Sequence, residues 1–266
     1  MTAIRPPKQK IAASSRWPRN GSESQVKKVL VIDIGGTNVK FVATGHDTAR
    51  RFPSGPKLTP KQFVREIKRL TADWAYDCVS IGYPGVVRNN RAALEPNNLG
   101  RGWVGFDFEK AFSRPVKVVN DAAMQALGSY RRGLMLFVGL GTGLGSALIA
   151  DGVMIPMELG HLAYKRGTYE GYIGQRGVKW LGKKRWRRHV IDVVKRFMTA
   201  IHPDEVVLGG GRAKKLGELP KGCRLGDNAH AFTGGLRLWD EPNRNARNVE
   251  LRASRRQRRP ERTLNK

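Results

Sequence analysis

Cysteine is nearly missing from this 266-residue chain: Cys78 and Cys223 are the only two, far apart and with no CxxC partner. That scarcity argues against a disulfide scaffold and a cysteine-based zinc site, and it fits a reducing, cytoplasmic compartment. Acidic residues are also few, 22 against 49 lysines and arginines, which leaves a net charge of +27. Long apolar runs are scarce. Residues 1–28 lack the apolar stretch of a signal peptide. One segment, Gly133–Ala150, is uncharged over a length that would pass for a short transmembrane helix. Gly139, Gly141, Gly143 and Gly145 around Thr142 would weaken that helix at its centre, and they suit a turn between strands. No membrane partner is expected.

The positive charge is uneven. Residues 1–28 hold seven Lys/Arg against one Glu, and residues 244–266 hold nine against two, so +14 remains on the body. A basic body implies an anionic partner or substrate. The ends, poor in apolar residues, read as a flexible arm (1–28) and a disordered tail (241–266) that would meet nucleic acid only non-specifically.

What the chain does have is two Gly-rich turns between apolar runs. Val29–Ile32 and Ile34 form a run broken only by Asp33, then come Gly35, Gly36 and Thr37, then Val39–Ala43. This predicts a buried strand and a tight turn whose backbone N–H groups can approach an anion. Asp33 could hold a hydrated Mg²⁺ against a phosphate there; alone, the segment fits a simple hairpin as well. Met135–Leu140, the GTGLG turn and Ser146–Ala150 repeat the arrangement.

Between and after them, Arg51–Pro60 reads as loop, with Thr59 as N-cap and Pro60 opening a helix that carries Phe63, Ile67 and Leu70. Cys78–Ile81, Val116–Val119 and Val206–Leu208 read as short strands, Phe106–Phe112 and Ala122–Tyr130 as helices. Tyr164–Gly177 reads as irregular, and a basic helix follows with Trp180, Val190, Val193, Val194 and Phe197 as its buried stripe. Ala229–Trp239 closes the fold as a helix. The prediction is α/β, with a small lobe (29–133), a large lobe (134–240) and a ligand cleft between them.

Asp33-x-Gly35-Gly36-Thr37 resembles the first phosphate motif of sugar kinases with the two-lobed actin-like ATPase (ribonuclease H-like) fold. Gly139-x-Gly141-Thr142-Gly143-x-Gly145 resembles the second, and Gly209-Gly210-Gly211 is similar to their adenosine-contacting turn. Asn120-Asp121 and Glu158-Leu159-Gly160-His161 resemble the ROK family (repressors, open reading frames and kinases). Arg51–Pro60, Pro156–Ala163 and Tyr169–Leu181 look most like its bacterial polyphosphate glucokinases.

The resemblance implies transfer of a terminal phosphoryl group from polyphosphate or ATP, with Mg²⁺, to the 6-hydroxyl of glucose or mannose. It implies Asp121 as general base and Asn98, Asn120, Glu158, His161 and Glu170 as sugar contacts. Phosphate or nucleotide contacts would be Asp33, Gly35, Gly36, Thr37, Lys40, Gly141, Thr142, Gly143 and Gly209–Gly211. Asp33 would reach the metal through water. A homodimer is implied as well. Many relatives hold zinc through a His and three cysteines, but no cysteine lies between Asp121 and Lys221, so no zinc site is expected. His161 would then be held by hydrogen bonds.

Read without the resemblance, each feature has a plainer role. Asp121 could cap the helix Ala122–Tyr130. Glu158 and His161 could be a surface pair, and Gly209–Gly211 a helix-start loop. Lys183–Arg188 (KKRWRR) is either a solvated helix face or a track for polyphosphate. Two non-catalytic classes also fit: a sugar-responsive regulator with nucleic-acid-binding ends, and a silent sugar-binding scaffold.

Overall fold

The structure, a computed structural model, describes residues 27–240. The expectations for residues 1–26 and 241–266 lie outside the described residues. β1 (Val29–Ile34) and β2 (Asn38–Ala43) pair antiparallel across the first Gly-rich turn, with Asp33 opposite Lys40. β3 (Arg50–Pro53) adds to β2 at the sheet edge, which corrects the expectation that Arg51–Pro60 is all loop. Proline is tolerated there because an edge strand does not need every N–H for its ladder.

α1 (Pro60–Leu70) begins as expected. The Thr59 side chain accepts the Gln62 N–H and the Gln62 side chain accepts the Thr59 N–H, while Phe63 and Ile67 are buried. β4 (Cys78–Tyr83) runs parallel to β1 and is buried along its length, as a central parallel strand must be. A small hairpin of β5 (Val87–Arg88) and β6 (Arg91–Ala92) follows, then α2 (Phe108–Phe112) and β7 (Val116–Asn120), parallel to β4. The sheet order is β3-β2-β1-β4-β7.

α3 (Asp121–Ser129) leads into β8 (Leu134–Leu140), β9 (Leu144–Ala150) and β10 (Val153–Met157), three antiparallel strands. Tyr164–Gly177, expected to be irregular, instead forms the hairpin β11 (Ala163–Tyr164) and β12 (Gly167–Thr168), then α4 (Tyr169–Ile173) and the start of α5 (Gln175–Ile201). Its tyrosines explain the order: Tyr164 packs against Tyr169, Tyr172 and His189, and its hydroxyl donates to Asp192 at 2.7 Å. β13 (Glu205–Gly209) and β14 (Cys223–Leu225) complete the sheet in parallel, in the order β10-β9-β8-β13-β14. Both sheets are therefore three antiparallel strands extended by two parallel ones, and each Gly-rich turn joins the first two strands of its sheet. The duplication shows in the architecture, although no sequence repeat marks it.

The buried stripe of α5 needs one correction. Trp180 is 55% exposed, whereas Trp186, inside the basic run, is fully buried with Val190, Val193, Val194 and Phe197. Gly182 takes φ +73°, a conformation that breaks the helical phase between the two tryptophans.

α6 (His230–Arg237), assigned in sequence to the second lobe, packs on β1 and β4 of the first sheet and on α3. Ser80 Oγ donates to Gly235 O at 2.6 Å and Trp239 Nε1 donates to Ser80 Oγ at 2.8 Å. The lobe boundaries drawn from the sequence therefore remain a proposed division. The α3–α6 contact depends on missing side chains: a methyl group on Gly128 would lie 1.8 Å from His230 O, and one on Gly234 1.8 Å from Met124 O. Gly128→Ala should lower stability by about 2–3 kcal/mol, the overpacking cost exceeding the gain in helix propensity. Urea unfolding would measure it, and an unchanged or raised midpoint would overturn the close-contact account.

Candidate active site

The C-terminal ends of β1 and β7 and the start of α3 bring two carboxylates together. Asp33 lies on β1 with Gly82 of β4 as its neighbour, and a methyl group on Gly82 would sit 3.4 Å from Asp121 Cα and 2.5 Å from Met124 Cε. Only glycine lets α3 approach β4 that closely. The helix cap is Asn120, not Asp121: its Oδ1 accepts the N–H groups of Ala122 and Ala123, at 3.0 and 3.1 Å, and its Nδ2 donates to Gly85 O at 3.1 Å. Both ends of the Asn120 side chain are thus occupied by backbone. Asp121, at the first helical position, accepts one N–H, from Ala122 at 2.7 Å on Oδ1.

Among the described residues, neither Asp33 nor Asp121 has a cation within ion-pair distance. Burial pushes the Asp33 carboxyl up to about 6, with Lys40 working against it. Burial, then the charge of Asp33, pushes Asp121 up to about 7, and the more distant Glu158 adds to this. A half-buried carboxylate such as Asp33 suits a hydrated Mg²⁺, which is commonly held by one or two carboxylates together with substrate phosphates.

The two Gly-rich turns face each other beside this pair. A methyl group on Gly36 would lie 3.5 Å from Asn98 Nδ2 and 3.9 Å from Thr142 Oγ1. Gly35, Gly36 and Thr37 are braced by Ser54, whose Oγ donates to Gly35 O at 2.7 Å and whose N–H donates to Thr37 O at 3.0 Å. Glu170 braces the second turn. Its Oε2 accepts the Leu144 N–H at 3.1 Å and would stand 2.5 Å from a methyl group on Gly143, so it supports Gly141–Gly143 from behind. Gln175 N–H, at the start of α5, closes the same turn on Thr142 O at 3.0 Å.

Glu158 precedes and His161 ends a 3-10 turn, Leu159–His161, tied to β9 by buried Ser146, which donates to Met157 O and accepts the Leu159 N–H. Burial raises the Glu158 carboxyl, His161 opposes the shift and Glu170 adds to it. His161 Nε2 lies 3.6 Å from Glu158 Oε2 and its side chain is 74% exposed. That separation is too long for a hydrogen bond, so the expected hydrogen-bonded hold on His161 is not seen among the described residues.

Gly209–Gly211 abuts the second turn. Gly210 takes φ +81° against Leu140 O, and Arg212 Nη1 donates to Gly141 O at 2.6 Å. Ser54, Ser146 and Arg212 had no motif to mark them. The one signal was a serine held inside an apolar strand run, at Ser146.

The ROK family model matches residues 29–178, and the chain belongs to the ROK family. Its fold is that of the ROK sugar kinases, the actin-like ATPase fold. The polyphosphate glucokinase of Mycobacterium tuberculosis (strain H37Rv) is 27% identical over 210 residues, covering 69% of this chain and 77% of that protein. The inorganic polyphosphate/ATP-glucomannokinase of Arthrobacter sp. strain KM superposes with a TM-score of 0.65 at 24% identity, covering 79% of this chain and 97% of that one. A ROK transcriptional regulator, a homologue of the E. coli MLC protein, shares the fold at a TM-score of 0.59 and 14% identity, over 80% and 81% of the two chains.

A carboxyl whose folded value lies above its unfolded one binds protons more tightly in the folded state, so ionising it costs stability. For Asp121 that cost is absent below the ordinary aspartate range, grows up to about pH 7 and is constant above. Asp121→Asn should therefore stabilise the protein by about 1–2 kcal/mol at about pH 8, after allowance for solvent screening. The advantage should vanish on acidification, as read by chemical denaturation at several pH values. An advantage that persists below the aspartate range would contradict the buried-pair account.

Proposed function

We propose that this protein is a glucokinase, transferring a terminal phosphoryl group from polyphosphate or ATP to the 6-hydroxyl of glucose. The observation that carries the reading is Asp121: a carboxylate spared from helix capping by Asn120, raised to about 7, beside the meeting point of two Gly-rich turns. A sugar hydroxyl is a poor nucleophile until a base within hydrogen-bond reach takes its proton, and a base poised near neutrality does so best. Asp121 takes that proton as the hydroxyl oxygen attacks phosphorus. Backbone N–H groups of Gly36–Thr37 and Thr142–Gly143 receive the phosphoryl oxygens, with Lys40 adding positive charge. Asp33, through water, would hold Mg²⁺, which when bound neutralises phosphate charge.

Asn98, beside Gly36, and Glu158 and His161, on their short turn, are the sugar contacts in this reading. Asn120 and Glu170 act mainly by positioning Asp121 and the second turn, since their side chains already bond backbone. Exposed Val153 and Ile155 on edge strand β10 support self-association into a dimer. No described helix is long and apolar enough to cross a membrane. Cys78 and Cys223 are free thiols, which supports a cytoplasmic setting.

The test is a matrix of donors (ATP, polyphosphate) against sugars (glucose, mannose, fructose, N-acetyl sugars). Glucose should be phosphorylated, and transfer from polyphosphate should fall steeply with added salt. Asp121→Asn should cut turnover by about 100- to 10,000-fold while leaving glucose binding largely in place. In the unmodified enzyme, kcat/KM for glucose should fall on acidification below about pH 7. Preserved turnover in the variant would refute the assigned base. Retention of nucleic-acid binding without turnover, and its loss on deleting residues 1–28 and 244–266, would favour a regulator instead.

A further inference from the structure

The turn after β13 carries a guanidinium that neither the sugar site nor the backbone phosphate turns account for. Arg212 is half-buried. Its backbone N–H bonds Leu140 O at 3.1 Å, and its Nη1 donates to Gly141 O at 2.6 Å, which fixes the side chain at the second phosphate turn. Among the described residues, the rest of its donor fork has no hydrogen-bond partner and no carboxylate lies within ion-pair distance. Beside it, Gly211 borders open space.

The chain then turns through Ala213–Lys215, with Lys214 and Lys215 exposed, and Lys215 O accepts from Arg187 Nε of α5 at 2.6 Å. Arg212, Lys214, Lys215 and Arg187 are thus linked cations, none with a carboxylate partner among the described residues. They begin at Gly141 and continue onto the basic helix. A nucleotide donor carries charge only on its three phosphates and ends in a neutral nucleoside. A polyphosphate carries charge on every unit and can engage each cation in turn.

We infer that Arg212 anchors the donor's phosphate chain and that the cations beyond it set donor specificity. Its guanidinium grips a phosphate behind the one transferred, and Lys214, Lys215 and Arg187 hold later units of inorganic polyphosphate. The inference rests on the phosphotransferase reading above and assigns the donor end of that same site. Arginine suits the first position because its planar fork can hold two phosphate oxygens at once, whereas the lysines farther on act as point charges.

The test is equilibrium binding of long-chain polyphosphate, tripolyphosphate and ATP to the full chain over a range of salt. The variants are Arg212→Gln, Arg212→Lys and the pair Lys214→Gln with Lys215→Gln. Charge-matched controls change exposed Arg65 of α1 to Gln, for Arg212→Gln, and both Lys61 and Arg65 to Gln, for the lysine pair. Arg212→Gln should weaken long polyphosphate by about tenfold and reduce the log–log salt slope by about one. Arg212→Lys should lose affinity but keep the slope, because the charge remains and the fork does not. The lysine pair should weaken long polyphosphate and leave tripolyphosphate and ATP nearly unaffected. An Arg212→Gln effect no larger than its α1 control, or a lysine-pair effect equal for ATP and long polyphosphate, would overturn the inference. Turnover by the unmodified enzyme is read separately: transfer from neither donor would sink the glucokinase reading while the binding series still decides the role of Arg212.

Discussion

Two carboxylates held close together, partly out of water and without a paired cation among the described residues, set the terms for the rest of this molecule. Asp33 and Asp121 would each be lower in free energy if solvated, and both are pushed toward the neutral form instead. Holding them there requires β1, β4 and α3 to pack more tightly than ordinary side chains allow, which is why Gly82 faces Met124. It also requires that the start of α3 be capped by another residue, and Asn120 does that with its Oδ1 while its Nδ2 donates to Gly85 O. Groups whose ionisation is opposed by their surroundings are a common mark of chemistry, because the fold bears a cost that packing alone would not ask for.

The two turns beside this pair are equivalent in topology but supported by different chemistry. Ser54, arriving from the edge strand, braces the first with a hydroxyl and a backbone N–H. Glu170, arriving from α4, braces the second with a carboxylate, and the start of α5 adds a backbone bond. The second turn is thus coupled to the aromatic cluster of Tyr164, Tyr169, Tyr172 and His189, which fixes α4 on α5. The shared architecture sets where the N–H groups of each turn lie, and the local supports set how firmly each turn is held.

Much of this was legible from the residues alone where a local rule governs. The strands around Asp33 and Thr142, and Thr59 as N-cap with Pro60 opening α1, all follow from patterns a few residues long. Local reading failed where a distant partner decides. Arg50–Pro53 becomes a strand because β2 offers it an edge, and Trp180 and Trp186 exchange places because one glycine resets the helical phase. Asn120 and Glu170 read as sugar contacts, and the bonds that also make them braces, from Asn120 Nδ2 to Gly85 O and from the Leu144 N–H to Glu170 Oε2, join segments that no local pattern connects. Arg212 could not be singled out among so many basic residues, since its bond to Gly141 joins segments 71 positions apart.

The return of α6 to the first sheet bears on how the chain is made. Trp239 closes over Ser80 and meets Lys117, whose Nζ lies 4.7 Å from its ring, so the covering of β1, β4 and β7 is supplied by nearly the last described residues. Synthesis proceeds from the N-terminus at about 5–20 residues per second. The first sheet therefore leaves the ribosome well before the helix that covers it, and waits with β1 and β4 partly bare. Its folding is bound to completion of the whole body, and a chain stopped short of α6 would carry both Gly-rich turns and still lack the helix that covers β1 and β4 and packs on α3.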